Sequence, residues 1–487
     1  MNGEILIYAL LPSLIAAFML PLFKNNPNLR DGITVIATII TFLFVAFLVL
    51  PPILDGEKIS LTLFKFAEGI TFTLRLDAFG MFFALITSSL WVVTNIYAIG
   101  YMRSLKEHSQ TRFFFYFTIS IFAALGIAFS GNLLTLFIFY EILSIVTYPL
   151  VIHERDAKSM RSGTEYLIYL IGGSFLLQLV AILLIYGISG TLEFTHGGFI
   201  NMGSPILLTV IFIFLMYGYT KAALFPLHRW LPTAMVAPTP VSALLHAVAV
   251  VVAGVFCVMR TVFDVFGPNL MHALNLDIIL GVAASITILI SIIIAMMQDN
   301  LKLRIAYSTV NQLSIMMLGV AMANYHGILG GILHIASHSF AKITLFFVAG
   351  AIFVVAGKKL ISKMDGIGKK MPLTMIAFFV GSIGMAGIPP TLSLISKLNI
   401  GLGIIESGYL IFLIVILISS LLDLVVFLPI VFKAFFKKFP EENVNIREMD
   451  YPLVVIPLII TALFTVLLFI NPTVFFELAK IVAENLK

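Results

Sequence analysis

The sequence predicts an all-α integral membrane protein with about fourteen transmembrane helices. Three observations predict this class: 60% of the 487 residues are hydrophobic, only 11% are charged, and the mean hydropathy is +1.10. The apolar runs are about 18–24 residues long, as a helix that crosses a bilayer requires, whereas a strand of a membrane barrel needs only about ten alternating residues. This composition excludes a soluble globular protein.

The predicted helices form one membrane domain that covers residues 1–487. Residues 1–110 hold three peripheral helices, 111–262 and 275–436 hold two units of five helices, and 437–487 hold the last helix and a C-terminal tail. The predicted helices cover residues 3–23, 32–54, 77–100, 112–129, 132–151, 165–188, 205–227, 241–262, 275–297, 304–322, 326–357, 372–406, 410–432 and 451–470.

Basic residues predict the orientation, because Lys and Arg accumulate in short cytoplasmic loops. Twenty of the 29 Lys and Arg residues, Arg30 among them, follow odd-numbered helices. Six lie on the opposite side, including Arg260 and Lys487, and three lie inside apolar segments. This asymmetry predicts that both termini face away from the cytoplasm. It also explains the net charge of +5 without a nucleic-acid partner.

Two predicted helices, the seventh and the twelfth, are interrupted. The seventh runs into four prolines between residues 226 and 240, and the twelfth reaches Pro389 and Pro390 after three glycines. Each proline removes a backbone donor and disfavours helix in the preceding residue. Irregular backbone at membrane depth is tolerated only where protein or a wet cavity satisfies its polar groups. The interruptions lie five helices apart, which predicts two inverted five-helix repeats around a polar interior.

Glu141 and Lys221 are ionisable residues inside apolar segments. A charge near the bilayer centre costs about 2.5–3.5 kcal/mol on insertion scales, so such residues normally have a function. We expect the two side chains to pair, because each would be costly alone. The pair is either a static contact that fixes helix packing or a proton carrier whose lysine exchanges its proton as the carboxylate approaches or withdraws. The position of Lys221 beside an interruption favours proton handling.

His334, His338 and Lys342 are spaced by four residues, which places them on one helical face. Histidine exchanges protons near neutral pH, so the three groups predict a proton relay. A zinc site is the alternative, since two histidines at this spacing can share a metal, but Lys342 would repel the cation. His246 stands alone after the first interruption and is either a structural histidine or part of the same relay.

Lys397 and Asp423 are a further lysine and carboxylate within apolar segments. Lys397 either extends to the membrane interface or faces the interior as the far end of a polar chain. Asp423 is either the partner of Lys397 or a cation ligand. Asp77 opens a predicted helix, where the helix dipole accounts for a carboxylate. No phosphate-binding loop or GxGxxG pattern is present, so we expect no cofactor and no metal in this chain.

Five segments together resemble the antiporter-like subunits shared by respiratory complex I, membrane-bound hydrogenases and Mrp-type cation/proton antiporters. They are FSGNLLTLFIFYEILSIVTYPLV, KAALFPLHRWLPTAMVAPTPVSALLHA, DNLKLRIAYSTVNQLS, LHIASHSFAKITLFFVAG and AGIPPTLSLISK. The resemblance extends from about Asp77 to about Phe436. It implies fourteen helices with two inverted repeats, and it assigns proton translocation to Glu141, Lys221, His246, His334, His338, Lys342 and Lys397.

The resemblance implies a proton-translocating subunit of a multisubunit complex in the cell membrane. A lysine at position 397 is similar to the D subunit of the Mrp-type Na⁺/H⁺ antiporters. The alternatives are a proton-pumping membrane subunit of a complex I-like NADH:quinone oxidoreductase or hydrogenase, a purely structural subunit, and a stand-alone cation/proton exchanger. The expected partners are other membrane subunits, protons, and Na⁺ or K⁺. Redox chemistry would reside in partner subunits. Two features depart from the family pattern. The residues LSL replace the glycine-containing stretch between the double proline and Lys397, and Asp423 is an additional carboxylate.

Overall fold

The computed structural model describes residues 3–439 and 447–486, and this part of the chain is mostly helical. The predicted C-terminal part, 437–487, is therefore described only in part. Lys487, which entered the count of basic residues, lies outside the described residues.

Each of the fourteen predicted segments contains helix, and one further helix follows the last. Eleven of the helices in the described ranges are long and apolar enough to cross a membrane, and α7 and α12 are shorter apolar helices. Fourteen crossings and the inverted repeats remain predictions. The helices are α1 (Ile5–Phe23), α2 (Pro27–Leu54), α3 (Ala78–Ser104), α4 (Gln110–Ala128), α5 (Leu133–Val151), α6 (Ala157–Ser189), α7 (Pro205–Gly218), α8 (Thr239–Ala273), α9 (Leu276–Met297), α10 (Leu301–Ala321), α11 (Tyr325–Ala356), α12 (Pro372–Ala386), α13 (Leu392–Ser407), α14 (Leu410–Phe436), α15 (Pro452–Ile470) and α16 (Thr473–Glu484).

The all-α prediction is wrong at one place, because a β-hairpin connects α2 to α3. Strands β1 (Ile59–Ala67) and β2 (Ile70–Leu76) pair antiparallel, with Ile59 opposite Leu76. The sequence ISLTLFKFAEGITFTLRL has the β-branched and aromatic residues of strands, and Gly69 supplies the positive φ of 70° at the turn. Hydropathy averaged over helix-length windows does not detect a hairpin this short.

Helix α8 lies at the centre of the bundle, and α3 and α11 lie close to it. An 18-residue apolar stretch of α8 is entirely buried, whereas only 33% of the corresponding stretch of α6 is buried. Helix α11 packs against α10, α12, α13 and α15, and the N-terminal part of α8 also contacts it. A fully enclosed helix is a core helix, whereas the exposed apolar faces of α1, α2, α6 and α14 suit lipid.

The first interruption follows α7. The chain leaves the helix at Gly218, makes one tight turn at Thr220–Ala222, and regains helix only in short pieces before α8 begins at Thr239. Other elements satisfy the backbone groups released here, as the membrane requires: the Lys221 N–H donates to the Tyr140 hydroxyl at 3.1 Å, and the Phe225 N–H donates to Thr287 at 3.0 Å.

The second interruption separates α12 from α13. Helix α12 ends at Ala386, Gly387 adopts a φ of +84°, and the chain passes through Pro389 and Pro390 before α13 begins. A Cβ atom at Gly387 would lie 2.9 Å from the Cδ of Lys397. The backbone conformation therefore favours glycine here, and a larger residue would also displace the end of the Lys397 side chain.

Candidate functional site

All eight residues selected from the sequence are buried. Each has 9% or less of its surface exposed, and six of them are fully enclosed. They divide into a group around Lys221, a central pair of histidines, and a group around Asp423.

Lys221 is held in the first interruption by neutral partners on α5. Its Nζ donates to the backbone carbonyl of Tyr140 at 2.9 Å and to the Ser144 hydroxyl at 2.5 Å, and it lies 3.2 Å from the centroid of the Tyr140 ring. Gly254 of α8 closes the opposite side, where a Cβ atom would lie 2.1 Å from the Ala222 nitrogen. One turn of α5 and one glycine thus define the position of the lysine.

Glu141 lies on the same turn of α5, but the expected direct ion pair is not formed. Both carboxylate oxygens are buried, and the Ser174 side chain of α6 approaches them, but neither oxygen has a hydrogen-bond partner of ordinary geometry among the described residues. The neighbouring part of α6 is a π-helical turn, Ser174–Gln178, whose Gln178 amide is also unpartnered. This turn packs closely on the first interruption, since a Cβ atom at Gly218 would lie 2.5 Å from the Gln178 nitrogen. Water is the partner expected at buried polar atoms of this kind.

His246 lies inside the protein, in a π-helical turn of α8. Its ring centroid is 6.3 Å from that of Tyr166 and 6.1 Å from that of Trp230, and both of its ring nitrogens lack a hydrogen-bond partner in the described chain. The Tyr166 hydroxyl is 2.5 Å from the hydroxyl of Thr147, one turn beyond Ser144 on α5. His246 is therefore placed between the Lys221 group and α11.

His338 and Lys342 continue from this point along α11. The ring of His338 approaches the backbone of Ala247, next to His246, and its nitrogens have no hydrogen-bond partner within the described ranges. Lys342 donates to the Ser308 hydroxyl of α10 at 2.8 Å and lies 5.7 Å from the centroid of the Phe427 ring. The sequence spacing is confirmed as one buried face of α11.

His334, Asp423 and Lys397 are joined through Gln312, which was not selected from the sequence. The His334 Nε2 is 2.9 Å from the Gln312 Oε1, and the Gln312 Nε2 donates to the Asp423 Oδ2 at 2.8 Å. An ionised carboxylate only accepts, so the amide nitrogen faces Asp423 and the amide oxygen accepts from the His334 ring. The Lys397 Nζ lies 3.7 Å from the same Asp423 oxygen.

This geometry argues against two alternatives: a metal shared by His334 and His338, and a Lys397 side chain that extends to the membrane interface. The other ring nitrogen of His334 is 2.9 Å from the Ser396 hydroxyl, so neither nitrogen is available for a metal shared with His338. Lys397 also donates to the Met385 carbonyl at 2.7 Å and to Ser420 at 3.0 Å, and it is directed inward instead of extending to the membrane interface.

The polar residues that sequence reasoning missed share one feature. Ser308 and Gln312 lie on the polar face of the segment DNLKLRIAYSTVNQLS, and Ser396 and Ser420 are single hydroxyls in apolar helices. Amides and hydroxyls do not stand out by charge. Five of the seven residues from Ser308 to Ser314 are polar, and this density within a predicted membrane helix could have indicated the polar site.

A second buried charge cluster lies towards the other end of α8. It shows that more basic residues are buried than the three lysines predicted to lie inside apolar segments. Arg260, counted as a loop residue, is 1% exposed and pairs with Asp77 at 2.6 Å and with Asp264 at 2.7 Å. His196 lies 2.9 Å from Asp264. Asp77 also caps α3 through the Gly80 N–H, so its role is larger than the helix dipole. Arg30 is buried as well, against Asp31.

A cavity of about 500 Å³ opens on the face that carries the basic loops. Its lining includes Glu107, Thr239 and Lys302, and the Lys302 Nζ donates to the Ala237 carbonyl at 2.7 Å. His153 lies beside this rim, where burial, and after it the nearby His108 and Arg112, lower its pKa to about 4. Its ring is therefore neutral at physiological pH.

The helical fold and the buried ionisable groups define an antiporter-like membrane subunit. Residues 130–423 match the family described as "NADH:quinone oxidoreductase/Mrp antiporter, TM". This match covers more than half of the chain, and the chain belongs to this family.

Curated relatives include an NADH-quinone oxidoreductase subunit and a cation/proton antiporter subunit. NADH-quinone oxidoreductase subunit N of Desulforudis audaxviator (strain MP104C) is 34% identical over 361 residues, which cover 71% of this chain and 69% of the relative. The A/B subunit of a probable K(+)/H(+) antiporter of Rhizobium meliloti (strain 1021) is 33% identical over 68% of this chain. The matched region spans only 32% of that longer relative.

Two solved structures share the fold. The chain aligns over 99% of its length with a chain of the membrane-bound sulfane sulfur reductase (MBS), an archaeal respiratory membrane complex, with a TM-score of 0.86, 23% identity and 98% of that chain covered. It aligns equally far with a chain of the Mrp complex from Dietzia sp. DQ12-45-1b, with a TM-score of 0.83, 20% identity and 97% coverage. At these sequence identities, 23% and 20%, the two alignments show a shared fold and no more.

Proposed function

We propose that this chain translocates protons along the buried polar series from Glu141 to Lys397. The observation that carries the proposal is the connected set His334, Gln312, Asp423 and Lys397, in which a histidine, an amide, a carboxylate and a lysine follow each other within the bundle. Buried ionisable groups at membrane depth are costly and normally serve ion pathways. A static packing role would not require groups that exchange protons.

In the first half, Lys221 is the proton carrier and Glu141 controls it. Among the described residues, the hydrogen bonds and ring contact of the lysine nitrogen are to a carbonyl, a hydroxyl and an aromatic ring, while the Glu141 carboxylate lies on the same turn of α5 without an ion pair to it. A small rearrangement that brings Glu141 to Lys221 would favour the charged lysine, and its withdrawal would favour release of the proton. His246 and His338 would receive it across positions where water completes the contacts.

In the second half, Lys342 and His334 pass the proton to Asp423 and Lys397. The imidazole of His334 and the carboxylate of Asp423 contact the same amide, so protonation of one changes the hydrogen bond of the other. Lys397, in α13 beside the second interruption, would release the proton on the far side. The 500 Å³ cavity on the face with the basic loops would supply protons to the first half.

The test is proton flux in vesicles that hold the assembled complex. Lys221→Ala and Glu141→Ala should abolish flux while the complex still assembles, and Lys65→Ala, on the exposed β1 strand, is the matched control. Normal flux in an assembled Lys221→Ala complex would contradict the relay.

A charge swap tests the purely structural alternative. If the two residues only hold helices together, Glu141→Lys combined with Lys221→Glu should preserve assembly and transport. If they carry protons, the swapped protein should assemble without transport, because the carboxylate would then occupy the site shaped by Tyr140 and Ser144.

As the finer assignment we propose the D subunit of an Mrp-type Na⁺/H⁺ antiporter, in the cell membrane with both termini outside the cytoplasm. The lysine at position 397 and the antiporter relative from Rhizobium meliloti support this branch. Partner membrane subunits and the exchange of Na⁺ or K⁺ for H⁺ belong to this proposal.

A redox-driven complex is the second candidate. It is favoured by the NADH-quinone oxidoreductase relative and by the fold likeness to the membrane-bound sulfane sulfur reductase. Identification of the co-purifying subunits separates the two: only small membrane subunits indicate cation exchange, whereas subunits with redox centres indicate a respiratory complex. Sodium-dependent proton flux with the purified chain alone would instead indicate a stand-alone exchanger.

A further inference from the structure

Three potential metal ligands converge beside the cavity, which one of them, Glu107, lines. Glu107 and His108 lie in the connection between α3 and α4, and His153 lies in the connection between α5 and α6. The Glu107 Oε2 is 3.9 Å from the His153 Nε2 and 4.0 Å from the His108 Nδ1. The two imidazole rings are 4.6 Å apart.

His153 is the unusual member of this cluster. Its side chain is 1% exposed and its ring approaches the backbone of His108, but neither ring nitrogen has a hydrogen-bond partner of ordinary geometry among the described residues. A buried polar group without a partner is costly, so a water molecule or an ion normally completes its contacts. Its Nε2 atom lies 3.9 Å from the Glu107 carboxylate, which also lines the cavity.

His108 presents the correct nitrogen to the same point. Its Nε2 is 2.9 Å from the backbone carbonyl of His153, and a carbonyl only accepts, so Nε2 carries the hydrogen. In the neutral ring the Nδ1 atom, which faces Glu107, then has a free lone pair. The other nitrogen is held by a backbone carbonyl, which is the arrangement that orients histidines at metal centres.

The backbone around these residues is tightly folded. Lys106 and Ser109, on either side of the pair, both have a positive φ, and Gln110 donates to the Glu107 carbonyl at 3.1 Å. Arg112 donates to the His153 carbonyl at 2.9 Å and so joins the two connections. The three ligands are therefore fixed by two short turns.

We propose that Glu107, His108 and His153 bind a dication of the Zn²⁺ class, with one coordination position open to the cavity. Two histidines and one glutamate form a known zinc ligand set with an open fourth position. Tetrahedral Zn²⁺ ligands lie about 3.3–3.5 Å from each other, so the two separations from Glu107, 3.9 and 4.0 Å, need to close by about 0.5 Å, and all three ligand atoms already lie within 4.8 Å of one another. Nearby Glu154 favours a cation, whereas Arg112, Arg155 and Lys359 oppose it and limit the affinity.

The binding test uses the full chain in its complex, in lipid nanodiscs and without a polyhistidine tag. Zn²⁺ is titrated by calorimetry, and Co²⁺ is used as a spectroscopic probe of tetrahedral nitrogen and oxygen ligands. His108→Gln and Glu107→Gln remove exposed or partly exposed ligands and spare the buried His153, which packs against the Phe113 ring. His326→Gln, a partly exposed histidine beside Glu406, is the matched control.

We expect one Zn²⁺ per wild-type or His326→Gln chain, and an affinity at least about tenfold weaker in both ligand variants. The tetrahedral Co²⁺ spectrum should disappear in His108→Gln. Equal affinity in all four proteins, or no saturable binding in the wild type, would overturn the site.

The effect of the metal on transport rests on the proposed function and has a separate readout. If the cavity supplies protons, Zn²⁺ should slow proton flux in the wild type and His326→Gln but not in His108→Gln. Binding without slower flux would retain the metal site and overturn its effect on proton uptake. Failure of the relay itself would instead appear as normal flux in Lys221→Ala.

Discussion

The Lys397 Nζ lies 3.7 Å from the Asp423 Oδ2, and both side chains are buried at the second interruption. The same carboxylate accepts a hydrogen bond from Gln312 at 2.8 Å, so it connects the lysine of α13 to the histidine of α11. Asp423 is thus the partner of Lys397, although it departs from the family pattern. The proposed exit of the pathway is a lysine–carboxylate pair and not a single lysine.

The first prediction concerns this pair. Asp423→Asn leaves Lys397 buried without a countercharge, which should destabilise the protein by about 3–5 kcal/mol, and it should lower proton flux. Thermal unfolding in detergent and flux in vesicles measure the two effects. The double variant Lys397→Met with Asp423→Leu should regain stability without regaining transport. Normal flux in an assembled Asp423→Asn complex would exclude a role in the pathway.

The second prediction concerns Gln312. Gln312→Leu removes the amide that joins His334 to Asp423, and flux should fall by about a hundredfold, the scale of a positioned proton-transfer group. Asn311→Leu is the matched control, because Asn311 also bonds α14, through Ser419 at 2.9 Å, but forms no side-chain hydrogen bond with a proposed carrier in the described part of the chain. Equal losses in both variants would indicate a general packing effect.

The third prediction uses the close contact between α8 and the first interruption. In Gly254→Ala the new Cβ atom would lie 2.1 Å from the Ala222 nitrogen, so the turn that holds Lys221 must shift. We expect reduced transport in a protein that still assembles. Gly172→Ala is the control, since no atom lies within 4 Å of the position that its new methyl group would take. Unchanged flux in Gly254→Ala would show that the position of Lys221 tolerates this shift.

The fourth prediction concerns Arg260. Arg260→Ala leaves Asp77 and Asp264 as uncompensated buried carboxylates, which should destabilise the protein by about 3–5 kcal/mol. Arg229→Ala should change stability little, because the Arg229 side chain is 69% exposed beside Glu165. Thermal unfolding of the assembled complex measures both. Similar losses would show that the buried cluster contributes no more than a surface pair.

The Arg260 cluster also predicts a pH dependence. Burial alone would raise the pKa of Asp77, but the Arg260 guanidinium outweighs it and holds this pKa well below the usual range. A carboxyl group with a lowered folded-state pKa contributes stability above its unfolded pKa and loses it as the pH falls. The stability difference between wild type and Arg260→Ala should therefore be largest near neutral pH and shrink below about pH 4.

Local properties of the sequence predicted the helices, both interruptions and the burial of the eight selected residues. Helix length follows from runs of apolar residues, and prolines stop a helix wherever they occur, so neither depends on distant parts of the chain. The β-hairpin at 59–76 is also encoded locally, in its alternation and its Gly69 turn, but each strand is shorter than the apolar run of a membrane helix. The class followed from these features, and the family from the resemblance of five sequence segments.

Tertiary structure alone decided which of these groups meet. Glu141 and Lys221 were expected to pair, yet Lys221 bonds Tyr140 and Ser144 instead, because the turn that carries the lysine is directed at the backbone of α5. Gln312 bonds Asp423 across 111 residues of sequence. A charge pattern shows that a residue is costly to bury, but only the packing of helices determines which neighbour compensates it.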